Sequence, residues 1–376
     1  MTVLNQDDFF YMTLAIREAE KGRYTTSPNP NVGCVIVKDN QVIGKGFHIQ
    51  AGGPHAEVHA LVAAGENAQG ATAYVTLEPC SHTGKTPPCA EALIKAQVAK
   101  VVVGMTDPNP QVSGRGIEKL RNAGIQVHQD CLTQECEKLN AGFIKRMVNK
   151  LPYVQLKLGS SLDGRTAMSS GESQWITSAK ARQDVQDYRA QACAVITGVG
   201  TVMADNPSLN VRQAEFKPNH YPCEKLRQPV KVVIDNQHQI TPEYKLINQA
   251  ETVYLVSNKH RNDAENINWP VNVKFLTLSQ AGEHVCLTEL LTQLALLEIN
   301  QVWVEAGAKL AGAFIAQGLV DELIIYQAPK LLGENTKGLI EVTDLTKLNQ
   351  AIEWRYQEVR QVGDDLKLVL FPKLSS

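Results

Sequence analysis

Gly53-Pro54-His55-Ala56-Glu57-Val58-His59-Ala60, answered downstream by Pro79-Cys80 and by Pro87-Pro88-Cys89, is the part of the chain from which its fold and chemistry are read. One imidazole and two thiolates are donors that zinc accepts. Three protein ligands leave the fourth tetrahedral position to water, the mark of a catalytic site. Side chains two apart do not share a helix face. His55 and Glu57 therefore converge only from the first turn of a helix, which Gly53-Pro54 is placed to start. Cys89 follows Pro87-Pro88 at the head of a second helix, where the positive end of the dipole favours the thiolate. Two thiolates cancel the formal charge of the ion, so its water gains from a nearby base. Glu57 takes that role, moving a proton from the water to a departing amine as in the zinc nucleobase deaminases. Their usual signature has two residues between the cysteines, whereas here Cys80 and Cys89 enclose eight, among them His82 and Lys85, an insert long enough to reach a substrate. The alternative is a closed structural site with His59, one turn beyond His55, as fourth ligand. Cys34, Cys131, Cys136, Cys193, Cys223 and Cys286 lack ligand spacing and read as core or surface thiols.

Outward from this centre, Phe10, Leu14, Ala15 and Ala19 recur at helical spacing over residues 7–21, with Gly22 as a C-cap. Residues 32–37 and 41–47 are β-rich and separated by Lys38-Asp39-Asn40, a hairpin. Helices follow at 55–64, 90–96, 116–123 and 133–148, and strands at 71–77, 98–104 and 125–128. This order predicts a three-layer α/β/α sandwich with a mixed sheet. The basic run Lys145-Arg146-Met147-Val148-Asn149-Lys150 closes the pattern before Leu151-Pro152, giving domains at 1–150 and 151–376. Beyond it, strands at 153–158, 194–197, 230–234, 252–256, 301–305 and 322–327 alternate with helical segments as a second α/β domain. Residues 213–228 are polar, hold two prolines and read as a surface loop.

At 376 residues two domains are expected, each with a sizeable core. With 37 basic and 39 acidic residues and no Lys/Arg run interleaved with aromatics, long nucleic-acid substrates are disfavoured. A small anionic substrate needs only local Arg and Lys. Residues 1–10 carry no basic region followed by an apolar one, and nothing approaches eighteen apolar residues in a row, so a cytoplasmic protein without membrane contact is expected. Eight cysteines in a reducing compartment argue against a disulfide framework.

No Gly-x-Gly-x-x-Gly follows a strand in the second half, so a Rossmann site is not expected. Two turns there carry the small residues that would let main chain come close to a phosphate. Val302-Trp303-Val304-Glu305-Ala306-Gly307 runs from strand to helix through small residues, which lets backbone N–H groups meet a pyrophosphate. The same residues also suit ordinary strand–helix packing. Thr197-Gly198-Val199-Gly200-Thr201, leading to Asp205-Asn206-Pro207, is the second. Lys157 and Asp163 are charges that line the end of the first strand of this domain.

Asn29-Pro30-Asn31-Val32-Gly33-Cys34, His55-Ala56-Glu57-Val58-His59-Ala60, Thr76-Leu77-Glu78-Pro79-Cys80-Ser81-His82 through Cys89 and Asp107-Pro108-Asn109-Pro110 together resemble the bifunctional riboflavin-biosynthesis deaminase-reductase family. So do Leu162-Asp163-Gly164, Gly171-Glu172-Ser173-Gln174-Trp175-Ile176-Thr177 and Ala328-Pro329-Lys330-Leu331-Leu332-Gly333, so that the resemblance spans nearly the whole chain and includes the long cysteine spacing. It implies a cytidine-deaminase-like domain followed by a dihydrofolate-reductase-like one. It implies zinc-dependent hydrolytic deamination of 2,5-diamino-6-(5-phosphoribosylamino)pyrimidin-4-one, then NADPH-dependent reduction of the ribosyl group to a ribityl chain. Asn29, His82, Lys85 and Asn109 would bind the deaminase substrate. Gly159, Trp175, Thr201, Asp205 and the run Gly307, Ala308, Lys309, Leu310, Ala311, Gly312 and Ala313 would hold NADPH. Ser173, Arg189, Leu209, Arg212 and Glu305, with Lys157, would bind the reductase substrate, guanidinium forks suiting its phosphate. A homo-oligomer acting on a small phosphorylated pyrimidine is expected. The competing reading keeps the zinc deaminase but gives it a nucleoside or tRNA base and an unrelated second domain.

Overall fold

The computed structural model describes residues 4–81, 88–109, 112–260, 268–281, 283–343 and 345–373. They divide into two compact units, Met1–Leu151 with Asn219–Leu226, and Pro152–Pro218 with Arg227–Ser376.

In the first unit α1 (Gln6–Ala19) starts on Asn5, whose side chain accepts the Asp8 N–H while the Asp8 carboxylate accepts that of Asn5. This reciprocal cap satisfies two donors that a helix start leaves open. The helix tightens into a 3-10 turn through Gly22 instead of ending on it as a C-cap. Gly22 serves close approach, since a Cβ there would lie 2.5 Å from the His48 carbonyl oxygen. β1 (Gly33–Lys38) and β2 (Gln41–Phe47) pair antiparallel across Asp39 and Asn40, both left-handed at φ 51° and 59°. Two such residues match the right-handed twist of the hairpin. Then come α2 (Ala56–Ala64), β3 (Thr72–Leu77), α3 (Cys89–Lys95), β4 (Lys100–Met105), α4 (Arg115–Asn122), β5 (Gln126–His128), α5 (Thr133–Leu139) and α6 (Ala141–Asn149).

The sheet order β2-β1-β3-β4-β5 is mixed, antiparallel at its first two pairings and parallel at the others. Alternation along the strands feeds two cores. Cys34, Ile36, Val75, Val101 and Val103 meet Ala56, Ala60, Leu93, Ile117 and Leu120 of α2, α3 and α4. Val35, Val37, Tyr74 and Val102 point the other way, to Tyr11, Met12 and Ala15 of α1 and Cys136 of α5. α2 lies directly on β2 because Gly44 and Gly46 carry no Cβ, which would stand 2.2 Å and 2.4 Å from its carbonyl oxygens. The expected helix 133–148 is two helices. Asn140, at φ −124°, breaks it and uses its amide to hold the main chain of Asn31.

The second unit contains β6 (Tyr153–Ser160), β7 (Arg165–Ala167), α7 (Ala179–Gln191), β8 (Ala194–Gly198), α8 (Val199–Asp205), β9 (Val230–Ile234), α9 (Lys245–Gln249), β10 (Val253–Ser257) and β11 (Val273–Thr277). It continues with β12 (Gln280–Ala281), β13 (His284–Val285), α10 (Leu287–Leu296), β14 (Gln301–Glu305), α11 (Ala308–Ala316), β15 (Glu322–Gln327), β16 (Lys337–Gly338), β17 (Trp354–Val362) and β18 (Asp365–Pro372). Nine strands form one sheet in the order β11-β10-β9-β8-β14-β6-β15-β18-β17, parallel from β11 to β15. β18 joins β15 antiparallel, so this sheet too is mixed. Parallel strands covered on both faces are apolar throughout, as in the fully buried Val302, Trp303 and Val304 of β14. The carboxyl ends of β6, β8 and β14 open on one edge, where ligands of such sheets bind.

Candidate active sites

His55 is the N-cap of α2 and Cys89 the first residue of α3, while Cys80 ends the turn after β3. The Cys80 carbonyl accepts the Ala90 N–H at 3.1 Å and its sulfur accepts the Cys89 N–H at 3.2 Å, tying the turn to the head of α3. Nδ1 of His55 stands 3.2 Å from Cys89 Sγ and 3.6 Å from Cys80 Sγ, and the three donor atoms lie within 4.8 Å of one another. Tetrahedral zinc with ordinary Zn–N and Zn–S bonds separates its donors by about 3.5 Å, so the set fits the ion. Hydrogen bonds from Cys89 and His55 drive the Cys80 thiol down to about 4 against its burial, and the Cys89 thiol is driven up. Among the described residues this ligand group does not include His59, whose Nε2 is buried without a hydrogen-bond partner.

Glu57, in the first turn of α2, is 3% exposed. Burial first, and then the charge of Cys80, push its carboxyl up to about 7. Asn29 reaches the same neighbourhood through His48. Nδ1 of His48 faces the Pro54 carbonyl at 3.1 Å, an acceptor only, so Nδ1 carries the hydrogen and Nε2 accepts from the Asn29 amide at 3.0 Å. The His48 ring packs edge-on against His55, and burial lowers its pKa to about 4, which keeps it neutral. Asn109 is set by its N–H on the Asp107 carboxylate at 2.8 Å. His82 and Lys85 lie outside the described residues.

Sequence reasoning gave neither His48 nor Glu78 a role. Glu78 is buried and accepts backbone N–H groups from Asp107, Gly114, Gly116 and Ile117. Four donors converging on one carboxylate from 29 to 39 residues away leave no local pattern to read.

In the second unit Glu305, the last residue of β14, is the register partner of Lys157 within β6. Arg189 of α7 clasps Glu305 through Nε at 2.5 Å and Nη2 at 3.0 Å, and its Nη1 donates to the Asn210 carbonyl. The Trp303 indole adds a third donor to Glu305. Burial works to raise the Glu305 pKa, but Arg189 and Lys157 outweigh it and hold the group at about 2. The fork expected on a phosphate is thus bound to a carboxylate. Arg212 is half exposed and touches Glu215. Leu209 is buried at φ 55°, and Ser173 is half-buried.

Trp175 is 58% exposed, with Arg182 stacked on its ring at 4.3 Å and Lys330 donating to its carbonyl. The neighbouring Gln174 donates to Asp205 at the end of α8, joining two segments expected to hold NADPH. A Cβ on Gly198 would meet Leu310 at 3.5 Å, so the starts of α8, with Thr201, and α11 face each other. Gly307 caps α11 with no side-chain acceptor, and nothing lies within 4 Å of where its Cβ would be. Open donors beside an open glycine fit a pyrophosphate. Ala308, Lys309 and Leu310 share that first turn. Further along, Ala311 is buried and Gly312 faces the Glu341 carbonyl, 1.8 Å from a would-be Cβ, while Ala313 is half-buried. Gly159 sits beside the Lys157 ammonium and Thr177. Asp163 binds Ser161 and the N–H groups of Leu332 and Gly333, so it anchors that loop.

Residues 5–105 match the model of the cytidine and deoxycytidylate deaminase zinc-binding region, and residues 152–368 that of the RibD C-terminal domain. The riboflavin biosynthesis protein RibD of Escherichia coli is 52% identical over 96% of this chain and 99% of its own length. That of Haemophilus influenzae is 51% identical over 99% and 100%. Acinetobacter baumannii RibD superposes with a TM-score of 0.90 at 47% identity, over 98% of this chain and 99% of that one. A Thermotoga maritima diaminohydroxyphosphoribosylaminopyrimidine deaminase/5-amino-6-(5-phosphoribosylamino)uracil reductase gives 0.85 at 33% identity, with the same coverage. The match over the second half removes the reading in which that domain is unrelated, and the cytidine-deaminase-like and dihydrofolate-reductase-like fold classes stand.

Proposed function

The chain belongs to the RibD family of riboflavin biosynthesis proteins, bifunctional deaminase-reductases that use zinc and NADPH, and from that premise we propose how its residues divide the work. The Met1–Leu151 unit deaminates 2,5-diamino-6-(5-phosphoribosylamino)pyrimidin-4-one, and the unit that starts at Pro152 reduces the resulting uracil. The observation that carries the first half is the meeting of His55 Nδ1 and the sulfurs of Cys80 and Cys89 at ligand spacing, beside the buried Glu57. Zinc held by those three atoms would supply an acidified water for hydrolysis of the C–N bond. Glu57 is the residue that would take up a proton at its carboxylate and pass it to the leaving nitrogen. Its burial keeps the proton from bulk solvent between the two transfers. His48, a hydrogen-bond acceptor toward Asn29, turns the Asn29 amide so that Oδ1 is left for a donor on the pyrimidine ring. Asn109 with His82 and Lys85 completes the substrate contacts.

In the reductase NADPH would supply the reducing equivalent to the ring-opened, imine-like sugar. The open start of α11 at Gly307–Leu310 would hold its pyrophosphate, and Trp175, Thr201, Asp205 and Gly159 would hold the rest of the cofactor. Arg189 positions Glu305 as a carboxylate, and Glu305 and Lys157 face the substrate. Ser173, Leu209 and Arg212 hold its phosphorylated end. Among the described residues no helix is long and apolar enough to cross a membrane. A cytoplasmic homo-oligomer belongs to the same proposal. The outward Tyr356, Val359 and Leu366 of β17 and β18 support it, and sedimentation of the purified chain tests it.

Glu57→Gln is the deciding variant. It should keep stoichiometric zinc and lose ammonia release by at least about 100-fold, while NADPH oxidation on supplied deaminated intermediate persists. Ammonia release at the wild-type rate would remove Glu57 from the mechanism.

A further inference from the structure

We propose that Glu78 is a positioning residue of the deaminase site, locking the Cys80 ligand and the Asp107–Asn109 turn into one frame; the inference rests on the deaminase reading above. Glu78 stands at the end of β3, two residues before Cys80, and is 3% exposed. Among the described residues no Lys or Arg pairs with it. Among the described residues its partners are all main chain: Oε2 accepts from Asp107 at 3.2 Å and Gly114 at 2.9 Å, and Oε1 from Gly116 at 2.9 Å and Ile117 at 3.3 Å.

The donors of Gly116 and Ile117 belong to the first turn of α4, which leaves such N–H groups open and carries the positive end of its dipole. The residue at the ordinary capping position is Gly114, which has no side chain to offer. The capping group has been moved onto the segment that carries a metal ligand. Two further contacts make the frame rigid. A Cβ on Gly116 would lie 1.9 Å from the Pro79 carbonyl oxygen, so the start of α4 and the residue before Cys80 are in backbone contact. Asp107, held by Glu78 through its N–H, holds the N–H of Asn109 through its own carboxylate. A shift of Glu78 therefore displaces a zinc ligand and a substrate contact together, although Glu78 touches neither ion nor substrate. Only a carboxylate has acceptors for all four donors. An amide places its NH2 against two of them.

The test uses full-length, zinc-loaded chain as wild type, Glu78→Gln, and Asn5→Ala, which removes the cap of α1 in the same unit. In Glu78→Gln zinc should pass to a competing chelator with an affinity about 10–100-fold lower. The ligand-field bands of the cobalt-substituted site should shift, and KM for the aminopyrimidine should rise about 10-fold with a smaller change in kcat. Asn5→Ala should lower the unfolding midpoint and move none of these. Reduction of deaminated intermediate should be unchanged in both, as a control on the rest of the chain. If Glu78→Gln does not fold, Glu78→Asp serves, since it keeps the charge but falls one methylene short of spanning Asp107 and Ile117. Wild-type zinc affinity, cobalt spectrum and KM in a variant that has lost only stability would make Glu78 a simple cap and overturn the proposal. Wild-type chain that binds zinc yet releases no ammonia would instead sink the deaminase reading, and the zinc and cobalt comparison would still decide Glu78.

Discussion

Glu305 sits between the buried Arg189 and the half-buried Lys157, and its removal should be felt before any substrate is added. Glu305→Gln leaves Arg189 and Lys157 without their counter-charge, and breaking a buried pair in this way costs about 3–5 kcal/mol. Thermal unfolding of the second unit should show that loss. The pH dependence has a definite sign. The folded pKa of about 2 lies below the unsupported value of 4.5, so the stabilisation is complete above pH 4.5 and is lost as the pH falls toward 2. The difference in unfolding free energy between wild type and Glu305→Gln should therefore shrink across that window and be flat above it. Curves that stay parallel down to pH 2 would contradict a paired carboxylate. At this scale the sequence is legible where chemistry is local. His55 and Cys89 are donor types placed at helix starts and Cys80 lies in the turn after β3 beside a proline, so the ligand types can be read from their local surroundings. Arg189 is the opposite case, because a guanidinium read as a phosphate grip has its partner 116 residues on, where no spacing rule reaches.

Elements were readable when their own residues carried the signal. Asp39 and Asn40 accept left-handed conformations more readily than most residues, and the β1–β2 hairpin turns there. The break between α5 and α6 could not be seen, because the helical period of residues 133–148 runs on through Asn140. What stops the helix is distant. Asn140 Oδ1 accepts the Asn31 N–H at 2.7 Å and its Nδ2 donates to the Asn31 carbonyl at 3.0 Å, while the Asn31 amide reaches the Leu139 carbonyl. The main chain of Asn31, two residues from the proposed substrate contact Asn29, is paired to a helix break as if to a strand. Asn140→Ala should cost about 2 kcal/mol, since two main-chain groups lose their partners. Urea unfolding should report this as an earlier transition of the first unit. A larger KM with kcat nearly unchanged should accompany it, through Asn29. The hairpin β17–β18 was missed for another reason: β17 is the outermost strand, mostly exposed, and lacks the apolar alternation that marks a half-buried one.

At the scale of the whole chain two cores were expected, and the described residues form separate apolar clusters on either side of Leu151-Pro152. The return of Asn219–Leu226 to the first unit was not legible. That segment is polar, and it reaches Phe47 and Tyr24 through the rings of His220 and Tyr221, contacts that no local pattern announces. Zinc separates the two halves experimentally. Its ligands all lie in the first unit, and an ion bound only by the folded state adds about 2.7 kcal/mol when free zinc is 100 times its dissociation constant. Chelation should therefore lower the unfolding transition of the first unit and abolish ammonia release, with both restored on adding zinc back. The transition of the second unit should stay where it was, and NADPH oxidation on supplied deaminated intermediate should proceed at its former rate. Loss of that oxidation on chelation would mean that the reductase depends on the metal, against the placement of all three ligands on α2, α3 and the turn after β3.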